Sequence, residues 1–367
     1  MGKRSCAVES VGMIMLDMEW YRGKRVLITG HTGFKGSWMC RVLQKAGAVV
    51  TGYALNPPTE PSLYQLASLS DEMHDVRGDV RDQESLRAAF REAKPEVVIH
   101  LAAQPIVRES YREPRTTYET NVMGTVNLLE CVRTEPGVQS VLNVTTDKVY
   151  LNREWAWGYR ENEMLDGFDP YSNSKSCSEL VTHSYVNSFF QGPEAPAVST
   201  ARAGNVIGGG DFAADRIIPD CVRAVLSGKA IQIRNPYSTR PYQHVLEPVF
   251  AYLMIAQKQA EDRKKAGWYN VGPDDASCVT TGELVSLFTR AWGNGAAWET
   301  ATEANAPHEA NFLKLDCSKI RSTFGWKPVW GIEDAVGETV NWTRAWSEGR
   351  NILDEMDREI DRYIQEM

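Results

Sequence analysis

Residues 24–36 read KRVLITGHTGFKG. Val26, Leu27 and Ile28 form a short β-branched and aliphatic run that ends at Gly30, the pattern of a strand buried on both faces. Glycines follow at 30, 33 and 36, and helical sequence runs from about Gly36 to Gly47. Strand, glycine turn and helix in that order form a dinucleotide crevice. The first glycine permits the tight turn, the others let backbone approach a pyrophosphate, and the helix N-terminus favours its charge. Lys35 is the cation best placed to meet a phosphate. Gly30, Gly33, Phe34, Lys35 and Gly36 are therefore the first candidate cofactor-binding residues.

The sequence on either side predicts an α/β fold. Ala48–Tyr53 reads as a second strand, 56–61 as a turn, Ser85–Ala93 as a helix and Glu96–Leu101 as a strand. Pro114–Arg133 is mostly helical, with apolar residues at Val122, Val126, Leu129 and Val132, and Val138–Thr145 is another strand. This alternation implies a Rossmann-type, doubly wound parallel sheet. After Pro196 the rhythm changes. Ala197–Arg202 is one more strand; a glycine loop at 208–210, a helix near Ile217–Ser227, a strand over Ile231–Arg234 and helices over 243–262 and 281–292 follow. We expect a dinucleotide-binding domain over 21–202. A smaller, interleaved α/β substrate lobe is expected over 203–367, some of its segments returning to the first domain. Ile352, Met356, Ile360 and Ile364 recur at helical spacing in the tail, which predicts docking. Residues 1–20 read as a disordered extension outside the fold.

Composition narrows the function. The 367 residues are 43% apolar or aromatic and carry a formal net charge of -8. That balance favours solubility, and with no basic run it argues against a nucleic-acid surface. No apolar stretch reaches the roughly 20 residues of a membrane span, so no membrane partner is expected. Met1-Gly2 has the form of a myristoylation start, but position 6 is Cys rather than Ser or Thr. The seven cysteines are scattered and include no CxxC. Reduced thiols in a cytoplasmic protein, with neither zinc nor a disulfide framework, are the plain reading.

Three later patterns add chemistry. Asp79 and Val80 follow Gly78, where a carboxylate could accept from an adenine amino group. Leu101, Ala102, Ala103 and Gln104 end a predicted strand with small residues, as backbone lying against a cofactor requires. The second strand does not end in the acidic residue that grips a ribose 2′-hydroxyl; Tyr53 sits near that place, which leaves NAD against NADP open. YSNSK over 171–175 puts Tyr171 and Lys175 on one helix face. Beside a nicotinamide ring that pair makes a base for oxidising an alcohol, the ammonium lowering the phenol's pKa from about 10. Upstream stand Thr146, Asp147 and Lys148.

With these residues the chain resembles the extended short-chain dehydrogenases/reductases and, within them, the nucleotide-sugar 4,6-dehydratases. The glycine turn and the Tyr/Lys pair are common to the superfamily. More specific are NREWAWGYRENE over 152–163, RAGNVIGGGD over 202–211 and PHEANFLKLDCSK over 307–319, with HLAAQPIVR over 100–108 and TNVMGT over 120–125 in support. The resemblance covers about 21 to 345. It implies bound NAD, Asn121 among the cofactor-binding residues, a CDP-glucose substrate and a 4-keto-6-deoxyglucose product. It also implies a homodimer or higher homo-oligomer, and a role in deoxysugar synthesis for lipopolysaccharide O-antigen.

Tyr171 would then take the 4-hydroxyl proton, Lys175 would tune Tyr171 and hold the nicotinamide ribose, and Thr146 would hydrogen-bond the sugar oxygen. Asp147 would be the general acid at the 6-hydroxyl and Lys148 the base at carbon 5. The related dTDP-glucose enzymes carry Glu where Lys148 stands. Arg202, Asn205, Arg216, Arg240 and Asn270 match nucleotide- and diphosphate-handling positions, and His308 and Glu309 would meet the nucleotide ribose; no metal is implied. Two rival readings remain. A nucleotide-sugar 4-epimerase needs the Thr/Tyr/Lys set without Asp147 and Lys148, and a non-catalytic NAD(H) sensor keeps the glycines but loses the Tyr/Lys pair.

Overall fold

The computed structural model describes residues 16–301 and 312–367. Its strands in chain order are β1 Arg25–Thr29, β2 Val49–Ala54, β3 His74–Arg77, β4 Val97–His100, β5 Ser140–Thr146, β6 Ala197–Ala203, β7 Asn205–Ile207, β8 Ile231–Ile233, β9 Thr239–His244, β10 Trp268–Val271, β11 Cys278–Thr280 and β12 Trp298–Thr300. Seven of them make one parallel sheet in the order β10-β6-β5-β4-β1-β2-β3. This is the doubly wound arrangement, with an added strand beyond β6.

The sheet is buried on both faces, and side-chain alternation divides its core. Ile28, Ile99 and Leu142 face one cluster with Trp38, the helix Leu246–Glu261 and the tail residues Ile352, Met356, Ile360 and Tyr363. Leu27, Val98 and Val141 face a second cluster with Leu86, Phe90, Leu128 and Leu129. A third cluster, built on Ile231, Ile233, Leu284, Val285, Phe288 and Val336, holds the smaller lobe. There β11, β9 and β7 form a small mixed sheet, and β12 pairs with β8. The tail helix, Ile352–Glu366, docks as its spacing predicts: Asn351 caps it, and Arg41 pairs with Asp357 at 2.6 Å.

The extension expected over 1–20 is corrected at its end, since residues 16–20 belong to the fold. Leu16 is buried, and Met18 and Trp20 pack on the first cluster. The Asp17 N–H donates to Gln257 Oε1 at 3.0 Å, and the Tyr21 hydroxyl donates to the Leu253 carbonyl at 2.7 Å. Four apolar or aromatic side chains in six residues are enough to hold this segment on the helix beneath it. Residues 1–15 lie outside the described residues.

Candidate active site

β1 and β4 are neighbours whose following helices pass to opposite sheet faces, so a crevice opens beyond Thr29 and His100, which pair in register. Thr29 Oγ1 lies 2.6 Å from His100 Nδ1 and accepts from the Ala102 N–H at 3.3 Å, locking the two strand ends together. Gly30 turns with φ +79°, and a Cβ there would stand 2.6 Å from the Ala102 nitrogen. A Cβ on Gly36 would strike the Gly30 carbonyl oxygen. Gly33 differs: its φ of -80° suits any residue, and a Cβ would meet only the Gly30 oxygen at 3.5 Å. The protein itself does not require glycine at 33. A ligand lying against the backbone would, and no side chain among the described residues caps the helix Phe34–Lys45 that starts there. The crevice fits a dinucleotide pyrophosphate.

The rest of the crevice is braced from behind. Asn121 sits in a π turn, Glu119–Met123, between the helices Pro114–Tyr118 and Gly124–Thr134. Its Oδ1 accepts from the Gln104 N–H at 2.8 Å, and its Nδ2 donates to the Gln104 carbonyl and to Ser174 Oγ. Asn121 thus ties the Leu101–Gln104 loop to the helix that bears Tyr171. The Gln104 side chain is turned to Thr117 and to the Ile106 N–H. Asp79 is clasped by Arg81 at 2.6 Å, which holds its carboxyl below the usual range, while its carbonyl accepts from Tyr53. Asp82, not Asp79, caps the next helix. Val80 is buried against Gly124, and its carbonyl accepts from Asn127.

The catalytic candidates converge where β5 ends. Asp169 caps the helix Pro170–Phe189, which places Tyr171 in its first turn and Lys175 one turn on. Thr146, Asp147, Tyr171 and Lys175 are all buried, and Lys148 is partly so. Thr146 stands close enough to Tyr171 to draw its phenol down against burial. Thr146 Oγ1 donates to Asp147 Oδ1 at 2.9 Å, and Asp147 Oδ2 is buried with no partner among the described residues. Burial raises the Asp147 carboxyl above its ordinary value, against the pull of Lys148, Thr146, Arg240 and Lys35. A carboxyl so placed can keep a proton to give.

The expected tuning of Tyr171 by Lys175 needs correction. Lys175 Nζ donates to the Val144 carbonyl at 3.2 Å. The groups acting on Tyr171 are Thr146, Asp147, Arg216 and Asp169, and burial dominates, pushing the phenol up to about 12. Burial, with Lys35 adding like charge, holds the Lys175 ammonium down at about 8.

The substrate candidates divide. Arg216, the residue before the helix Ile217–Leu226, pairs with Asp211 at 2.9 Å and is close enough to Tyr171 and Lys35 to shift both. Arg240 on β9 acts on Asp147, and Asn205 begins β7, paired with Tyr242. These three stand on the lobe side of the crevice.

Arg202 and Asn270 are corrections. Arg202 has no exposed surface; its guanidinium binds Glu179 Oε2 at 3.0 Å, the Tyr150 hydroxyl at 2.8 Å and the Glu161 carbonyl at 3.0 Å. Asn270 accepts from Tyr150 and donates to the Tyr159 and Asp316 carbonyls, which uses its amide fully. Of the Arg202 donors only the buried Nε lacks a partner among the described residues, which leaves no two-pronged fork for a diphosphate. His308 and Glu309 lie outside the described residues.

Two residues escaped the sequence reading. Glu179, with its acceptors taken by Thr145, Thr200 and Arg202, is held down to about 2 by Arg202, His183 and Thr145 against its own burial. Its position one turn beyond Lys175 was the available signal. Tyr252, on the helix Leu246–Glu261, has a buried hydroxyl with no partner among the described residues and acts electrostatically with Tyr171 and Asp147. Nothing local marked it.

A family model described as GDP-mannose 4,6 dehydratase matches residues 27–339. A CDP-glucose 4,6-dehydratase of Salmonella typhimurium is 49% identical over 355 residues, 95% of this chain and 99% of its own length. A dTDP-glucose 4,6-dehydratase of Streptomyces griseus is 29% identical across 88% of this chain and 96% of its own. Among solved structures, dTDP-glucose 4,6-dehydratase from Bacillus anthracis in complex with NAD aligns with a TM-score of 0.73 at 24% identity, over 89% of this chain and 99% of that one. UDP-glucose 4-epimerase from Thermotoga maritima aligns at 0.76 and 22% identity, over 88% and 99%. Likeness at that level of identity carries the fold.

Proposed function

Because this chain belongs to the GDP-mannose 4,6-dehydratase family, we propose that it is an NAD-dependent CDP-glucose 4,6-dehydratase, a lyase yielding CDP-4-keto-6-deoxyglucose. The observation that carries the reading is Asp147: a buried carboxyl raised toward its acid form, with one oxygen unpartnered among the described residues and the other bonded by Thr146, which stands beside Tyr171. An epimerase has no use for an acid there. The relative that is 49% identical supports the choice of nucleotide.

When bound, NAD would take up the hydrogen of carbon 4 with its electrons and give it back at carbon 6. Gly30, Gly33, Gly36 and the amides opening the helix Phe34–Lys45 would hold its pyrophosphate, and Lys175 its nicotinamide ribose. Tyr171 takes the proton of the 4-hydroxyl while Thr146 holds that oxygen. The buried phenol needs a nearby positive charge before it can act as a base, because alone it stays protonated. Lys148 takes the carbon 5 proton and Asp147 protonates the departing 6-hydroxyl. Arg216, Arg240 and Asn205 receive the nucleotide diphosphate.

We also propose a cytoplasmic homodimer that feeds deoxysugar synthesis for surface polysaccharide. Tyr118, Met123 and Leu180 are exposed on neighbouring helices, as a two-fold helical interface would use. All six described cysteines are free. Incubation with CDP-, dTDP-, UDP- and GDP-glucose, following 4-keto-sugar formation, tests the function. CDP-glucose should be consumed preferentially; recovery of CDP-galactose instead would favour the epimerase.

A further inference from the structure

Lys35, expected at a cofactor phosphate, reaches toward Tyr252 and Asp147. Its ammonium lies 5.8 Å from the ring centroid of Tyr252, and its electrostatic partners are Asp147, Arg216 and Lys175. No described residue gives it a hydrogen bond or an ion pair. Tyr252 comes from another element, the helix Leu246–Glu261, and its hydroxyl is buried with no partner among the described residues. Asp147 Oδ2, also buried, has no partner among the described residues either. Two buried polar groups without partners, Asp147 Oδ2 and the Tyr252 hydroxyl, and the partly buried Lys35 ammonium thus come to this corner from three separate elements. A buried polar atom left in that state is costly unless a ligand completes it.

We propose that Lys35 and Tyr252 serve the dehydration half of the reaction, Tyr252 hydrogen-bonding the departing 6-hydroxyl opposite Asp147, and Lys35 stabilising the carboxylate that Asp147 becomes. The inference rests on the dehydratase reading above. The step balances: the carbon 5–hydrogen bond breaks and its proton passes to Lys148, a carbon 5–carbon 6 double bond forms, and the carbon 6–oxygen bond breaks. Asp147 gives that oxygen its proton, and water leaves. Negative charge appears on Asp147 as the bond breaks, and an ammonium fixed nearby in a dry site favours that state. Tyr252 stays neutral throughout, because burial with Tyr171 and Asp147 close by keeps its phenol protonated. Lys35 is thus a positioning residue acting through Asp147, and Tyr252 a catalytic one.

Burial, with Arg216 adding repulsion and Asp147 opposing it, holds the Lys35 ammonium down at about 8. The charged form is the active one, so dehydration should weaken as pH rises through that value. The other groups facing this corner are Arg240, Lys148, Tyr171 and Lys175. Lys175 also sits at about 8 but belongs to the oxidation of carbon 4, so resolving the steps separates the two.

The test uses single turnovers of the full chain with CDP-glucose, reading carbon 4 oxidation by reduced-nicotinamide absorbance and dehydration by product formation. NAD binding is titrated separately. Lys35→Met should keep NAD affinity within about twofold, leave oxidation nearly intact, slow dehydration about 100-fold and erase its alkaline limb. Lys35→Arg should restore part of the rate and move the limb upward, and Tyr252→Phe should slow the same step. A tenfold loss of NAD affinity with normal dehydration would return Lys35 to the cofactor phosphate. Equal slowing of both steps, or none, would also overturn the proposal. If wild-type protein converts no sugar nucleotide, the dehydratase reading itself falls and takes this inference with it.

Discussion

Arg202 shows what a residue's chemistry alone conceals. An arginine beside a glycine-rich loop suits a diphosphate, and that expectation follows from its type and motif. Its actual partners, Glu179, Glu161 and Tyr150, lie 23, 41 and 52 residues away in the chain. Only the fold joins them. Arg202→Met should therefore cost about 3–5 kcal/mol of stability by stranding the Glu179 charge, measurable as a lower denaturant midpoint. A substrate ligand would instead raise KM at unchanged stability. The pair has a pH signature: Glu179 is held at about 2, far below an unfolded glutamate. Its contribution is present above the unfolded value and is lost as pH falls toward 2. Tyr171 and Lys175 were legible because their relation is local, a single helical turn. Tyr171→Phe should bind NAD normally and lose carbon 4 oxidation by about 100-fold or more; full turnover would remove it as the base.

Among the elements, the glycine turn was readable as a unit but not residue by residue. Gly36 is required by the Gly30 carbonyl against it, whereas a Cβ on Gly33 would make only an ordinary contact with that oxygen. Gly36→Ala should destabilise the fold. Gly33→Ala should fold with normal stability and bind NAD at least tenfold more weakly, which a melting curve beside a binding titration resolves. The inner strands were visible from their apolar runs. β3, reading HDVR with none of its four residues buried, carries too little burial to announce itself at a sheet edge. β10 was missed because it returns to the main sheet after the lobe, pairing with β6 over a long excursion. The docking of the tail helix was legible, since its apolar stripe has the helical period.

For the whole molecule, the tail closes over a buried polar knot. Glu247 accepts from the Val329 and Trp330 N–H groups and from the Tyr363 hydroxyl at 2.8 Å, while His244 Nε2 lies 2.7 Å from Glu359. Burial pushes Glu247 up to about 7 and raises Glu359 as well. A carboxyl raised on folding stabilises at low pH, and that contribution is lost as pH rises from the ordinary carboxylate value through about 7. Stability should fall across that window, and Glu247→Gln should flatten the fall; an unchanged pH profile in the variant would place the titration elsewhere. No sequence pattern foretold this knot, because its members meet only when both ends of the lobe return to the sheet. What the whole assembly is built to do can be followed with one isotope. CDP-glucose bearing deuterium at carbon 4 should yield a 4-keto sugar whose deuterium sits on the carbon 6 methyl group, with one solvent hydrogen gained at carbon 5. Deuterium lost to solvent, or left at carbon 4 of an epimerised sugar, would contradict the account.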